Sequence, residues 1–263
     1  MNVRIWNRRT VQRLAVLLPL LAATAAPLEA QSAGGTLPFG VGEALTYRAQ
    51  AGRLGTIGRG TMSITGAERL RGREVLQLCF DFSGRVGPAR VSDHTTSLLD
   101  PRRMASLRYN KRERSPIFSA TEAVEIYPDE QRWEGASDSG ATPSEAPLDE
   151  LSFLYYVRTL PLAAGESHTL RRHFDAERNP VEIRVVGREQ VRVPAGEFAT
   201  VVVEMRVPDR RQKSGTSLVR LFLTDDAHRV PVRIESRMPV VGTTVLVLES
   251  QAGAGGAIAQ AKP

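Results

Sequence analysis

The sequence predicts a mainly β protein: a single antiparallel, curled or closed, β-barrel-like domain of about a dozen strands with one short helix. Three observations lead there. From about residue 42 onward apolar residues alternate at period 2 in short segments, turn residues punctuate those segments, and helical spacing is confined to one stretch near residue 150. Period-2 alternation is the mark of half-buried antiparallel strands, because successive side chains leave opposite faces of the backbone. So many sequential strands with so little helix exclude a doubly wound α/β fold. Curling or closing the sheet removes exposed edges, which makes it the economical arrangement.

The first 30 residues read as an export leader. Arg4, Arg8, Arg9 and Arg13 form a basic start, Leu14 to Ala26 form a 13-residue apolar stretch, and small residues follow. Cleavage fits after Ala25 or Ala30, and Ala30 is preferred because Gln31 opens a flexible mature start, residues 31–37. The apolar stretch contains Pro19 and is shorter than the ~20 residues of a spanning helix, so an uncleaved anchor is the lesser alternative. The pair Arg8-Arg9 hints at twin-arginine export, but Thr10-Val11-Gln12 matches that signal poorly.

The β domain is expected over residues 38–250. Leu45, Tyr47 and Ala49 share one face; Met62 and Ile64 follow; then Leu76, Leu78, Phe80 and Phe82 face one way while Gln77, Cys79 and Asp81 face the other. Further alternating runs cover Ala105–Tyr109, Val124–Ile126, Val181–Val185, Ala199–Val207, Val219–Leu223 and Val230–Ile234, and a continuous apolar run covers Val245–Leu248. Turns fall at Asp100-Pro101, Pro194-Ala195-Gly196 and Pro208-Asp209. Leu151, Leu154, Tyr155 and Arg158 stand at helical spacing, with Asp149 as N-cap and Pro161 beyond the end. Residues 135–147 read as a loop, and residues 251–263, without periodicity or bulk, as a disordered tail.

Charge and cysteine content narrow the class. The chain carries 35 basic and 29 acidic residues, but the four leader arginines and Glu29 leave 31 against 28 downstream, too even for nucleic-acid steering. Only Lys111, Lys213 and Lys262 are lysines, so arginine supplies nearly all the positive charge. Cys79 is the sole cysteine, which excludes an intrachain disulfide; it also lies far from the leader, where a lipid-anchored protein needs its acylated cysteine. Outer-membrane strands need ~9–11 residues with an apolar lipid-facing side. The runs here read as shorter and carry Arg or Glu outward, so membrane association is expected to be peripheral at most.

No catalytic, ligand-binding or metal-binding residue stands out, and no cofactor is implied. His94, His168, His173 and His228 are scattered at no ligand spacing, and Asp93 and His94, adjacent in a strand, point to opposite faces. No Gly-x-Ser-x-Gly elbow is present, and Cys79 reads as an inert thiol. Gly52, Gly55, Gly58 and Gly60 lack the Lys-Ser/Thr of a phosphate loop and read as a flexible hairpin. The basic loop from Asp209 to Gly215 reads as a solvated hairpin tip.

Four segments together resemble the bacterial family known as domain of unknown function 3108: Phe39 to Tyr47 (FGVGEALTY), Asp149 to Arg158 (DELSFLYYVR), Val193 to Phe198 (VPAGEF) and Leu223 to Val232 (LTDDAHRVPV). Their order covers about residues 38 to 250. The resemblance implies an exported, β-rich envelope protein, periplasmic or lipid-anchored, and carries over no catalytic residues.

Two function classes follow. The first is a periplasmic or secreted non-enzymatic module whose partner is a lipophilic ligand or an envelope protein; a roomy apolar interior favours the ligand, a filled one the protein. The second is a hydrolase acting on cell-wall or lipid material, with carboxylates or His94 and His228 as acid or base, which requires those groups to meet in one cleft.

Overall fold

The computed structural model describes residues 37–115, 118–209, 215–238 and 242–253. The leader (1–30), nearly all of the expected mature start (31–37), most of the basic loop and the tail from residue 254 lie outside the described residues.

Among the described residues fourteen antiparallel strands form one sheet. The first arm comprises β1 (Ala44–Ala51), β2 (Thr56–Leu70), β3 (Arg73–Val86), β4 (Ala89–Asp100), β5 (Ala105–Ser115), β6 (Phe118–Tyr127), β7 (Arg132–Gly135) and β8 (Ser139–Ala141). Helix α1 (Glu150–Val157) follows, and the second arm returns through β9 (Ser167–Leu170), β10 (Val181–Val193), β11 (Gly196–Pro208), β12 (Thr216–Thr224), β13 (Pro231–Met238) and β14 (Gly242–Ala252). Every pairing joins sequence neighbours except one, β1 with β14. The domain therefore starts and ends in the middle of its sheet, and the edges are β8 and β9.

The sheet is open, so the closed form of the expected barrel does not occur. Chain outside the strands ties the two arms together instead. Ser106 N donates to Pro147 O at 2.8 Å, and Phe174 N donates to Leu148 O at 2.9 Å, so residues 147–148 join β5 to the segment that follows β9. The Arg172 guanidinium adds bonds to Ala146 O and Met104 O.

Several strands are longer than their alternating runs, up to 15 residues in β2. The reason is local. Bulges shift the register between Ile64 and Gly66, between Leu98 and Leu99, and between Val185 and Gly187, and an inserted residue reverses the alternation within a continuous strand. Two corrections concern short elements: β7 and β8 fall partly within residues 135–147, expected as loop, and β14 runs to Ala252, past the expected start of the tail. Gly58 and Gly60 also belong to β2 rather than to a hairpin tip; the turn itself is a 3-10 turn at Gly52–Leu54 closed by Gly55.

Helix α1 forms where its spacing predicts. Asp149 caps it, accepting from Leu151 N and Ser152 N at 2.9 Å while Ser152 Oγ accepts from Asp149 N, a reciprocal capping box. Leu151, Phe153, Tyr155 and Val157 are all buried, so the helix is a plug on the inner face of the sheet rather than an amphipathic lid on its surface. They join one large apolar cluster with Leu45, Tyr47, Leu78, Leu99, Val203, Leu221 and Val232. The β10–β11 tip bends onto the same face, where Ala195 N donates to Leu248 O at 3.0 Å.

Candidate functional site

Three of the four segments singled out in the sequence converge on the end of α1. Arg158, its C-cap, places both terminal nitrogens on Glu43, at 2.7 and 2.8 Å, with neither side chain exposed. The same guanidinium donates to Pro38 O and His228 O, and Arg229 donates back to Arg158 O at 3.1 Å. Phe39 packs edge-on against Tyr155, with ring centroids 5.0 Å apart. A fully satisfied buried pair of this kind fixes geometry more than it adds stability, since desolvation offsets most of its attraction. Its work here is to lock the domain's first turn, its helix and the β12–β13 loop together.

The start of α1 carries a second polar group. Asp149 also accepts from Ser97 Oγ at 2.5 Å, and Ser106 Oγ lies 2.7 Å from Ser152 Oγ. Burial pushes the Asp149 carboxyl up to about 6, against the lowering effect of those hydroxyls and amides. Beside it, burial alone would raise Glu150, but contact with the Arg178 guanidinium holds it well below the usual carboxylate range. Burial lowers His173 to about 4. That ring stacks on Phe174 and Phe153, and its Nδ1 accepts from Asp175 N at 3.1 Å. Asp149 and His173 are fully enclosed and Glu150 is held by Arg178, which suits a structural role for them.

The histidines named as acid or base do not meet. His94 lies on the outer face of β4, its Nδ1 2.5 Å from Asp81 Oδ1. His228 lies in the loop between β12 and β13, joined to the helix through its backbone carbonyl. Asp93, on the opposite face from His94, turns inward and reaches Lys111 at 3.6 Å. Among the described residues no group of His, Cys, Asp and Glu could hold a metal ion. Cys79 is buried on the outer face between Ser63 and Thr96, and burial raises its thiol.

A different inner-face region carries a smaller apolar cluster of its own. Gly58, Gly60 and Gly84 meet Ala49 and Ala51 there, with Ile57, Phe80, Phe82 and Leu246 around them. The glycines are required by close approach. A Cβ on Gly84 would fall 2.2 Å from Ile57 O and 2.9 Å from the Phe82 ring, and one on Gly60 would fall 3.2 Å from the Phe80 ring. Both phenyl rings lie down over glycine and remain only partly buried. The sequence showed these glycines and phenylalanines but not their contact, because the pairing that joins them is set by the β2 bulge.

The model of a family described as protein of unknown function, DUF3108, matches residues 45–249, most of the chain. The chain belongs to that family. The DUF3108 match takes in the helix, its Arg158 and the Phe80–Phe82 strand, and begins just after Glu43. No curated protein matches the sequence. Among solved structures, the DUF3108 chain resembles a β-barrel-like protein of domain of unknown function DUF1849 from Brucella abortus, with a TM-score of 0.52 at 12% identity, over 81% of this chain and 97% of that one. That likeness shows the fold. Weaker likenesses are to a protein from Bacteroides fragilis, provisionally described as exported and with a YmcC-like fold (TM-score 0.35, 12% identity, 82% and 97% covered), and to one from Parabacteroides distasonis provisionally described as a lipoprotein (0.33, 10%, 82% and 98%). No helix among the described residues is long and apolar enough to cross a membrane.

Proposed function

We propose that this chain is an exported protein of the bacterial envelope, periplasmic or secreted, that binds a lipophilic or amphiphilic molecule without transforming it. Export rests on the leader: four arginines before a 13-residue apolar stretch and a small-residue cleavage region. Binding rests on one observation, the two partly exposed rings of Phe80 and Phe82 on the inner face, seated over a buried layer of glycine and alanine. The rings themselves are apolar and partly open to solvent, so a hydrocarbon chain laid across them makes dispersion contacts. Asp93, Lys111 and Glu113 border the patch and supply a polar rim for a head group.

The α1 end of the inner face is filled by the helix, which restricts the ligand to the Phe80–Phe82 end. The hydrolase reading has less support, since His94 and His228 sit on separate elements and the Asp149 and His173 groups are enclosed under α1.

Native mass spectrometry of protein recovered from the compartment to which its leader directs it tests this reading. The expected result is a retained lipid-sized mass that is lost when Phe82→Asp is introduced. Protein recovered free of any such mass, and without affinity for a fluorescent fatty acid, overturns ligand carriage and leaves an envelope protein as the partner.

A further inference from the structure

Arginines cross the outer face of the sheet and its turns, and most are neutralised by a nearby carboxylate. Arg48 and Arg59 share Glu249, Arg71 and Arg108 share Glu125, Arg73 and Arg103 share Asp129, and Arg220 pairs with Glu204. One region departs from this rule. On the far halves of β3, β4 and β5 the pairings Arg85 with Arg90, Asp81 with His94, His94 with Arg112, and Ser92 with Arg114 put four arginines and a histidine on one face. All five are exposed. Among the described residues none of those four arginines has a carboxylate partner, and Asp81, held by His94, is the only acid in those pairings. Arg85 and Arg90 stand directly across from each other, an arrangement of like charges that costs free energy unless an anion lies between them. Beside them a depression of about 300 Å³ is lined by Arg112, His94 and short polar residues, with Lys111 and Glu122 also on its wall.

We infer that this arginine face of β3–β5 docks the protein on a membrane surface rich in anionic phospholipid, with lipid phosphates taken between the unpaired guanidiniums. Three features of the chemistry point to a lipid surface. Guanidinium presents paired N–H donors that match phosphate oxygens, which an ammonium does not. The residues between the arginines are mostly serines, threonines and an asparagine, short hydrogen-bonding groups set lower than the guanidiniums around them. That face is an extended, two-dimensional array across three strands, suited to a plane of head groups rather than to one small anion. The inference is independent of the inner-face ligand, since it concerns the opposite side of the sheet.

The test is co-sedimentation of the purified protein with vesicles of phosphatidylglycerol and phosphatidylcholine against vesicles of phosphatidylcholine alone. The protein is expected to partition onto the anionic vesicles only, and to be released by raising the salt to about 0.5 M. Arg85→Gln/Arg90→Gln and Arg112→Gln/Arg114→Gln are each expected to weaken partitioning by on the order of tenfold or more, as each basic group near an anionic surface contributes about fivefold. Arg192→Gln, which removes an exposed arginine already paired with Glu197, is expected to leave it unchanged. Equal partitioning onto both vesicles, insensitivity to salt, or unchanged binding by both double variants overturns the inference. So does a shift of the His94 ring resonances by inorganic phosphate without vesicle binding, which assigns the face to a soluble phosphate instead. The first two readouts use the unmodified protein and stand even if a variant folds poorly.

Discussion

Glu43 and Arg158, 115 positions apart in the chain, meet through two hydrogen bonds with neither side chain exposed to solvent. The pair joins the turn before β1 to the end of α1, and the Arg158 guanidinium carries the connection on to His228 O. Removing one partner leaves a buried, uncompensated charge. Glu43→Gln or Arg158→Met is therefore expected to lower unfolding free energy by about 3–5 kcal/mol in urea titrations. The double replacement Glu43→Leu/Arg158→Met is expected to recover much of that loss. A double variant as unstable as the sum of the singles would mean that the two side chains do not act as a coupled pair.

The groups beneath α1 set the acid response. Asp149, raised to about 6, holds its proton in the folded state where the unfolded chain has lost it, so its contribution falls as pH rises from about 4 to 6. His173, lowered to about 4, works the other way: the unfolded chain takes up a proton that the folded state refuses, so its contribution is lost as pH falls from about 6.5 to 4. Each is worth about 3 kcal/mol across its window, with opposite sign. The two nearly cancel, and stability measured by chemical denaturation is expected to vary little between pH 4.5 and 6. In His173→Phe the Asp149 slope is expected to emerge, with stability declining as pH rises through this range. A flat profile in that variant would show that the Asp149 carboxyl titrates normally.

Close backbone approach makes Gly84 intolerant of any side chain. Because the atom met by an added Cβ is the Ile57 carbonyl oxygen, which cannot rotate away, Gly84→Ala is expected to cost about 2–3 kcal/mol, seen as a lowered thermal midpoint. Gly66, in the same sheet, has open space around its Cβ position, and Gly66→Ala is expected to be neutral or to stabilise by up to about 1 kcal/mol. Equal losses at both sites would contradict the β2–β3 register.

The inner-face patch yields a prediction on binding. Phe82→Ala removes a ring that is already partly solvated, so it is expected to cost little stability while weakening an apolar fluorescent probe by roughly tenfold. A fluorescence titration reads the affinity and circular dichroism the fold. Unchanged affinity would place the ligand elsewhere.

Much of this architecture is legible in the order of residues. The alternation through Leu45, Tyr47 and Ala49 names the face that turns inward, and the opposite directions of Asp93 and His94 follow from strand geometry alone. The spacing of Leu151, Tyr155 and Arg158 after Asp149 marks the helix and its cap. These are local properties, decided by backbone periodicity and by which side chain can reach the next amide. The pairing of β1 with β14, the contact of Glu43 with Arg158, and the seating of Phe82 over Gly84 are of another kind. So is the sorting of the arginines into paired ones such as Arg108 and unpaired ones such as Arg112. Each depends on which distant strand lies alongside and on bulges that reset the register between them, and a charge or ring shows no preferred partner until the folded chain brings one within reach.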